Sequence, residues 1–311
     1  MAILQITLPI FLLIGLGYVV TWRGLFTPEQ VRGMGALVIN VALPALIYRL
    51  LSRHRLAEVL EWRYFVVYAG ASLIMLLGGF LFWRNNSCAR PGAAVRAFGM
   101  AASNTGFIGL PIATQFLGPH VGVALGLTFI VENVLMLPGL IILGHEPDGA
   151  AGRAAMARQI ARGLARSPLF LSILAAIGSM LLNVQPVEPI AKAIDLLANA
   201  SAPVALIVIG GSLVRLDARG MRGAVVRIGM AKLIGHPLAV FLLLLAVPIA
   251  DPDLRHGALL LAAIPMASSY PIFGQRYGEG PLAAATLLVA TATSFLTINL
   301  LLWLISTGAL R

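Results

Sequence analysis

The chain is built from apolar runs of about 20 residues, the length that crosses a ~30 Å hydrocarbon layer at 1.5 Å per residue. Ten such runs can be placed, at residues 2–20, 31–51, 64–83, 101–119, 121–143, 168–184, 190–214, 224–249, 256–277 and 282–306. The longest polar connection, residues 145–167, separates the first five from the last five. Two runs depart from the pattern. Residues 101–119 (AASNTGFIGLPIATQFLGP) carry Ser103, Asn104, Thr105, Gly106, Gly109 and Pro111 in their middle, and residues 264–281 (IPMASSYPIFGQRYGEGP) carry Ser268, Ser269 and Pro271. Proline removes a backbone donor and clashes with the carbonyl one turn back, and lipid cannot satisfy the groups so freed. Both segments are therefore expected to be broken helices facing protein or an aqueous cavity.

The two halves share a polar pattern. Pro111-Ile112-x-x-Gln115-x-x-Gly118 recurs as Pro271-Ile272-x-x-Gln275-x-x-Gly278 at an offset of 160. Pro9-x-Phe11-Leu12 recurs as Pro168-x-Phe170-Leu171, and Asn40-x-x-x-Pro44 as Asn199-x-x-x-Pro203, both at an offset of 159. Five is odd, so the second half must enter the membrane in the opposite orientation to the first. The expected fold is an all-α polytopic membrane protein. It has ten transmembrane helices as two inverted five-helix repeats (1–145 and 168–311, joined by a linker at 146–167), with helices 4 and 9 broken and crossing near the midplane.

Composition agrees with the membrane reading: 59% of residues are hydrophobic and 11% charged, and the mean hydropathy is +0.92, which excludes a soluble domain. The formal net charge of +10 is a topology signal rather than a nucleic-acid signal, because the basic residues sit between spans. The connections after the first, third, fifth, seventh and ninth runs hold 14 Lys and Arg; those on the other side hold 7. The positive-inside rule then puts both termini outside and the central linker in the cytoplasm. No Lys or Arg precedes the first run, which therefore lacks the basic leader of a cleaved signal peptide. Trp83 and Arg84 are expected at the membrane interface. Cys88 is the single cysteine, so there is no disulfide framework or Cys/His metal spacing, and no cofactor is expected. Catalytic motifs are absent: there is no Ser/His/Asp set, HExxH or P-loop, and Gly210-Gly211-Ser212 lacks the context of a phosphate cradle.

The polar residues inside the spans are the candidate chemistry. Half-helix N-termini at a crossing present free N–H groups and partial positive charge to an anion. This makes Ser103, Asn104, Thr105, Pro111 and Gln115 in the first break, and Ser268, Ser269, Pro271 and Gln275 in the second, candidate substrate-binding residues; the bland alternative is a pair of proline kinks. Asn40 and Asn199 are single amides in apolar runs, suited either to an interhelical hydrogen bond or to a substrate pathway. Glu132 is a carboxylate deep in a span and must pair, protonate or bind a cation. Lys232 is the one intramembrane cation, with His236 a turn further on as a packing histidine. These two charges either form a structural ion pair or take coupling and substrate roles separately.

The motifs resemble the auxin efflux carrier family, which includes plant auxin exporters and bacterial malonate and malate permeases. The resemblance rests on Asn40-Val-Ala-Leu-Pro44, Ser103-Asn104-Thr105-Gly106-Phe107-Ile108-Gly109-Leu110-Pro111, Ala202-Pro203-x-Ala205-Leu206-x-x-x-Gly210-x-Ser212-Leu213 and Lys232-x-x-x-x-Pro237. It covers essentially the whole chain. It implies a scaffold of helices 1, 2, 6 and 7, a transport domain of helices 3–5 and 8–10, a substrate site where helices 4 and 9 cross, elevator-like movement and a homodimer. The central linker is short compared with that of the plant exporters, which suits a bacterial inner-membrane carrier. Three functions are open at this point: a secondary transporter of small organic anions, a sodium-coupled symporter of larger amphipathic acids, and a membrane sensor or channel.

Overall fold

The computed structural model describes residues 2–52, 61–117, 121–145, 149–214 and 221–309, and among them every regular element is helical. Gly118 of the repeat motif and Arg53, Arg55, Arg215, Arg219 and Arg311 of the charge count lie outside the described residues, as does the side chain of Arg153. In chain order the elements are α1 (Ala2–Trp22), α2 (Pro28–Leu51), α3 (Trp62–Asn85), α4 (Arg90–Ala101), α5 (Leu110–Phe116), α6 (Val121–Gly144), α7 (Gly149–Ala165), α8 (Pro168–Leu182), α9 (Glu188–Ser212), α10 (Arg222–Ala246), α11 (Pro252–Ala263), α12 (Tyr270–Arg276) and α13 (Gly280–Ser306).

Among the described residues, six helices are long and apolar enough to cross a membrane: α2, α3, α6, α9, α10 and α13. A seventh is added if α8 and the preceding residues 154–165, which meet at 63°, count as one bent span. The chain is thus a polytopic helical membrane protein. The remaining apolar runs fall short by length: two are divided into α4–α5 and α11–α12, and α1 offers a shorter apolar stretch, Leu8–Trp22.

Among the described residues, four helical turns are wider than α geometry, and each precedes a proline. The turns Val38–Ala42, Thr105–Gly109, Val131–Met136 and Ala231–Gly235 are widened to π geometry, and each is followed two residues later by proline: Pro44, Pro111, Pro138 and Pro237. The residue just before each proline donates its N–H five residues back, as Leu43 to Val38, Leu110 to Thr105, Leu137 to Glu132 and His236 to Ala231. One extra residue in the turn moves aside the carbonyl that the proline ring would otherwise strike. Each widened turn also holds a polar residue of the candidate set: Asn40, Thr105, Glu132 or Lys232.

The helix contacts fall into two sets, which also touch each other: α9 meets Thr105–Gly109, α2 meets α6, and α1 meets α5 and α13. In one, α1 crosses α9 closely while α2 packs on α8 and α9. Gly17 and Gly210 make this crossing possible, because a Cβ at either would run into backbone, of Ile207 or of Ile14 respectively. Polar contacts join the same group: Tyr48 to Ser179 (2.8 Å), and Arg49 to Asn199 (2.8 Å) and Asp195 (3.4 Å). In the other group, α3 packs on α4 and α10, α4 on α6, α11 on α6, α10 and α13, and α12 on α13.

Two expectations are corrected here. Arg90 and Arg96 belong to helix α4 rather than to a loop, because the fourth helical segment begins eleven residues before the apolar run. Trp83 is buried rather than interfacial: the Arg96 guanidinium lies 4.8 Å from its ring and is held by Glu279 at 2.9 and 3.1 Å.

Candidate functional site

The chain leaves helical geometry twice at corresponding places. After α4, Ala102 is extended (φ −76°, ψ 139°), and helical structure resumes at Thr105 with Asn104 as its cap, the Asn104 side chain accepting from Phe107 N at 3.3 Å. After α11, Ile264 is likewise extended (φ −65°, ψ 142°), and α12 begins at Tyr270. The two breaks meet. Asn104 N donates to Pro265 O at 2.8 Å, and Asn104 Nδ2 donates to Ser268 Oγ at 2.7 Å. Each break therefore supplies polar partners to the other where water is scarce.

A cavity of about 250 Å³ opens at this meeting point. Ser103, Asn104 and Thr105 line it from the first break, and Ser268 and Ser269 from the second. Glu132 and Asn133 line it from the widened turn of α6, while Ile39 and Leu43 of α2 and Leu169 of α8 belong to its apolar wall. The cavity consequently lies between the two packing groups.

Beneath its floor runs a connected set of charged and polar groups. Glu132 Oε1 accepts from Thr105 Oγ1 (2.8 Å) and from Ser103 N (3.1 Å). Lys232, fully buried, donates from Nζ to Ser103 Oγ (2.6 Å) and to Ala262 O (2.9 Å), and lies 2.8 Å from His236 Nδ1. An ammonium has only donors, so His236 Nδ1 accepts and its Nε2–H donates to Ser72 Oγ at 3.0 Å. Tyr68 OH lies 3.2 Å from Ser103 Oγ and donates toward Leu261 O at 3.4 Å. Lys232 thus ties the ends of α4 and α11 together, and it reaches Glu132 through Ser103 rather than by direct contact. The ion pairs among the described residues are Arg32–Glu29, Arg49–Asp195 and Arg96–Glu279.

The sequence candidates separate accordingly. Ser103, Asn104, Thr105, Ser268, Ser269 and Glu132 come together at the cavity. Lys232 lies behind it. Asn40 donates to the carbonyl of Ala36 in its own helix (2.9 Å), and Asn199 accepts from Arg49. Pro111 follows the widened turn Thr105–Gly109 and does not line the cavity; Gln115 bonds back to its carbonyl (3.0 Å). Pro271 and Gln275 lie in α12 outside the cavity wall. Sequence reasoning did not single out Asn133, Tyr68 or Ser72 as members of this cluster. The available signal was polar residues in the middle of apolar runs.

Fold and site together define a polytopic helical membrane protein with a small cavity, largely apolar but carrying hydroxyl, amide and carboxylate groups, where two helix breaks meet. The model of the family described as "Membrane transport protein" matches residues 2–304. The chain belongs to that family, the one its motifs resemble. It is 33% identical to a Rhizobium meliloti (strain 1021) protein named "Putative malonate transporter", over 98% of this chain and 96% of that one. It is also 26% identical to "Uncharacterized transporter YfdV" of Escherichia coli (strain K12), over 94% of this chain and 96% of that one. Family and relatives are transporters, not enzymes.

Proposed function

We propose that the protein is a secondary transporter that carries a small organic anion, of the mono- or dicarboxylate class, bound where the two helix breaks cross. The observation that carries this reading is the cavity itself: hydroxyls from both breaks and the Asn104 amide converge on a space of about 250 Å³. That is below the ~300–1,000 Å³ of pockets for drug-sized ligands, which favours a small acid over a large amphipathic one. The name of the Rhizobium relative makes malonate the first substrate to test.

The order of elements supports a ten-span chain of two inverted halves. On either side of α7 stand six elements, α1–α6 and α8–α13, and the fourth and fifth of each set are the two pieces of a broken span. The two packing groups support a scaffold of α1, α2, α8 and α9 and a moving unit of α3–α6 and α10–α13. A cavity on the seam between them suits elevator-type alternating access, in which the second group carries the site across. The arginine distribution and the bacterial relatives favour an inner-membrane location with both termini outside.

Glu132 is the coupling candidate. An ionised carboxylate lining the cavity repels an anion by roughly 3 kcal/mol at ~5 Å and an effective dielectric of ~20, so proton uptake by Glu132 would accompany substrate entry. Lys232, under Ser103, places a compensating positive charge behind the site.

The test is counterflow in proteoliposomes preloaded with malonate. Saturable, sodium-independent exchange is expected, and Glu132→Gln should retain exchange while losing its response to a pH gradient. A strict sodium requirement with preference for larger acids would favour the symporter reading. Linear, non-saturable flux for every carboxylate tried would overturn the carrier reading in favour of a channel or sensor.

A further inference from the structure

Transport leaves α7 without a task. Residues 149–167 hold Arg153, Arg158, Arg162 and Arg166 and no acidic residue. Met156, Ile160 and Leu164 recur every fourth position, and all three are half-buried. Arg158, Arg162 and Arg166 recur at the same spacing, displaced by two residues, and are exposed. Two residues of an α-helix are about 200° of rotation, so the apolar stripe and the arginine stripe lie on opposite faces. Arg158, Gln159, Arg162 and Arg166 line one open surface groove, and none of the ion pairs among the described residues involves these three arginines. Residues 154–165 turn 63° away from α8. With α8 along the membrane normal, a helix at that angle runs closer to the membrane plane than to the normal.

We propose that α7 is a membrane-surface helix that seats Met156, Ile160 and Leu164 beneath the headgroups of an anionic leaflet and holds their phosphates with Arg158, Arg162 and Arg166. An apolar stripe opposite an exposed cationic one is the pattern of an interfacial helix, and charge complementarity selects anionic lipid over a neutral bilayer. Anchoring at this point fixes the linker between the halves to the bilayer surface while other helices move.

The experiment uses the full chain in a Cys88→Ser background, with a nitroxide on Ile160→Cys or Gln159→Cys, in liposomes of phosphatidylcholine with or without phosphatidylglycerol. In anionic vesicles, the label at position 160 should be relaxed by oxygen more than by a water-soluble nickel chelate, and the label at 159 should show the reverse. Replacing Arg158, Arg162 and Arg166 together by Gln should lower the ratio of docked to undocked helix by roughly 100-fold, about fivefold per charge. High salt should act in the same direction, and inorganic phosphate should add nothing beyond its ionic strength. Equal nickel access at 159 and 160 overturns the proposal. So does shielding of position 160 that ignores lipid charge, which assigns the stripe to a protein contact, or shielding that fades on diluting the protein, which assigns it to a second copy.

Discussion

The coupling between Glu132 and Lys232 through Ser103 can be measured. They are farther apart than the ~4 Å of a contact ion pair, yet the path from Nζ through Ser103 has hydrogen bonds of 2.6 Å and 3.1 Å at its two ends. With the serine between them, the two charges lie at most about 9 Å apart. At an effective dielectric of ~20, opposite charges ~4–9 Å apart attract by about 2–4 kcal/mol. Lys232→Gln removes the ammonium that serves Ser103, His236 and Ala262, and Glu132→Gln removes the negative charge while keeping an amide oxygen that can accept from Ser103 N and Thr105. Either single change should lower stability. The double change should cost about 2–4 kcal/mol less than the two singles added, because it leaves no uncompensated buried charge. Reversible unfolding of the detergent-solubilised protein at pH 8 provides the four free energies of the cycle. An interaction energy below ~0.5 kcal/mol would show that the two charges are independent, and the linked-charge account of the site would fail.

Asn104→Ala removes the bond to Ser268 and the cap on Phe107, which should cost about 2 kcal/mol of stability and also weaken anion affinity per folded molecule; unchanged affinity in a binding titration would leave Asn104 a packing role only. Pro138→Ala frees α6 to close its widened turn. Stability should hold or rise by up to ~3 kcal/mol, while Glu132 shifts off Ser103 and Thr105 and uptake is lost, and undiminished uptake would refute the link between proline and carboxylate placement. Gly210→Ala forces a methyl into the backbone of Ile14. A loss of about 1–3 kcal/mol is expected in thermal unfolding, and a neutral result would mean that α1 and α9 are less closely apposed than described.

Local chemistry made much of this protein legible in its sequence. Apolar runs long enough to span lipid declare a membrane protein, since no other solvent accepts such a surface. Serine, asparagine, glycine and proline inside two of those runs mark where the helices break. The short Asn-Thr-Gly-to-Pro segment carries the family resemblance. Pro44, Pro111, Pro138 and Pro237 each follow a widened turn, whereas Pro203, the counterpart of Pro44 in the repeat, sits inside α9 without one, so proline marks where a turn can widen and packing decides whether it does. Which polar groups meet was decided by tertiary structure. Asn40 and Asn199 stand at matching places in the repeat, yet one bonds within its own helix and the other takes a guanidinium from α2. Gln115 recurs as Gln275, and neither lines the cavity. Lys232 and Glu132 are 100 positions apart in sequence and are joined by a serine on a third element. Periodicity reports which face of a helix a residue occupies, but not which neighbour that face receives. That is set by the packing of helices distant along the chain, here by where the breaks after α4 and α11 cross.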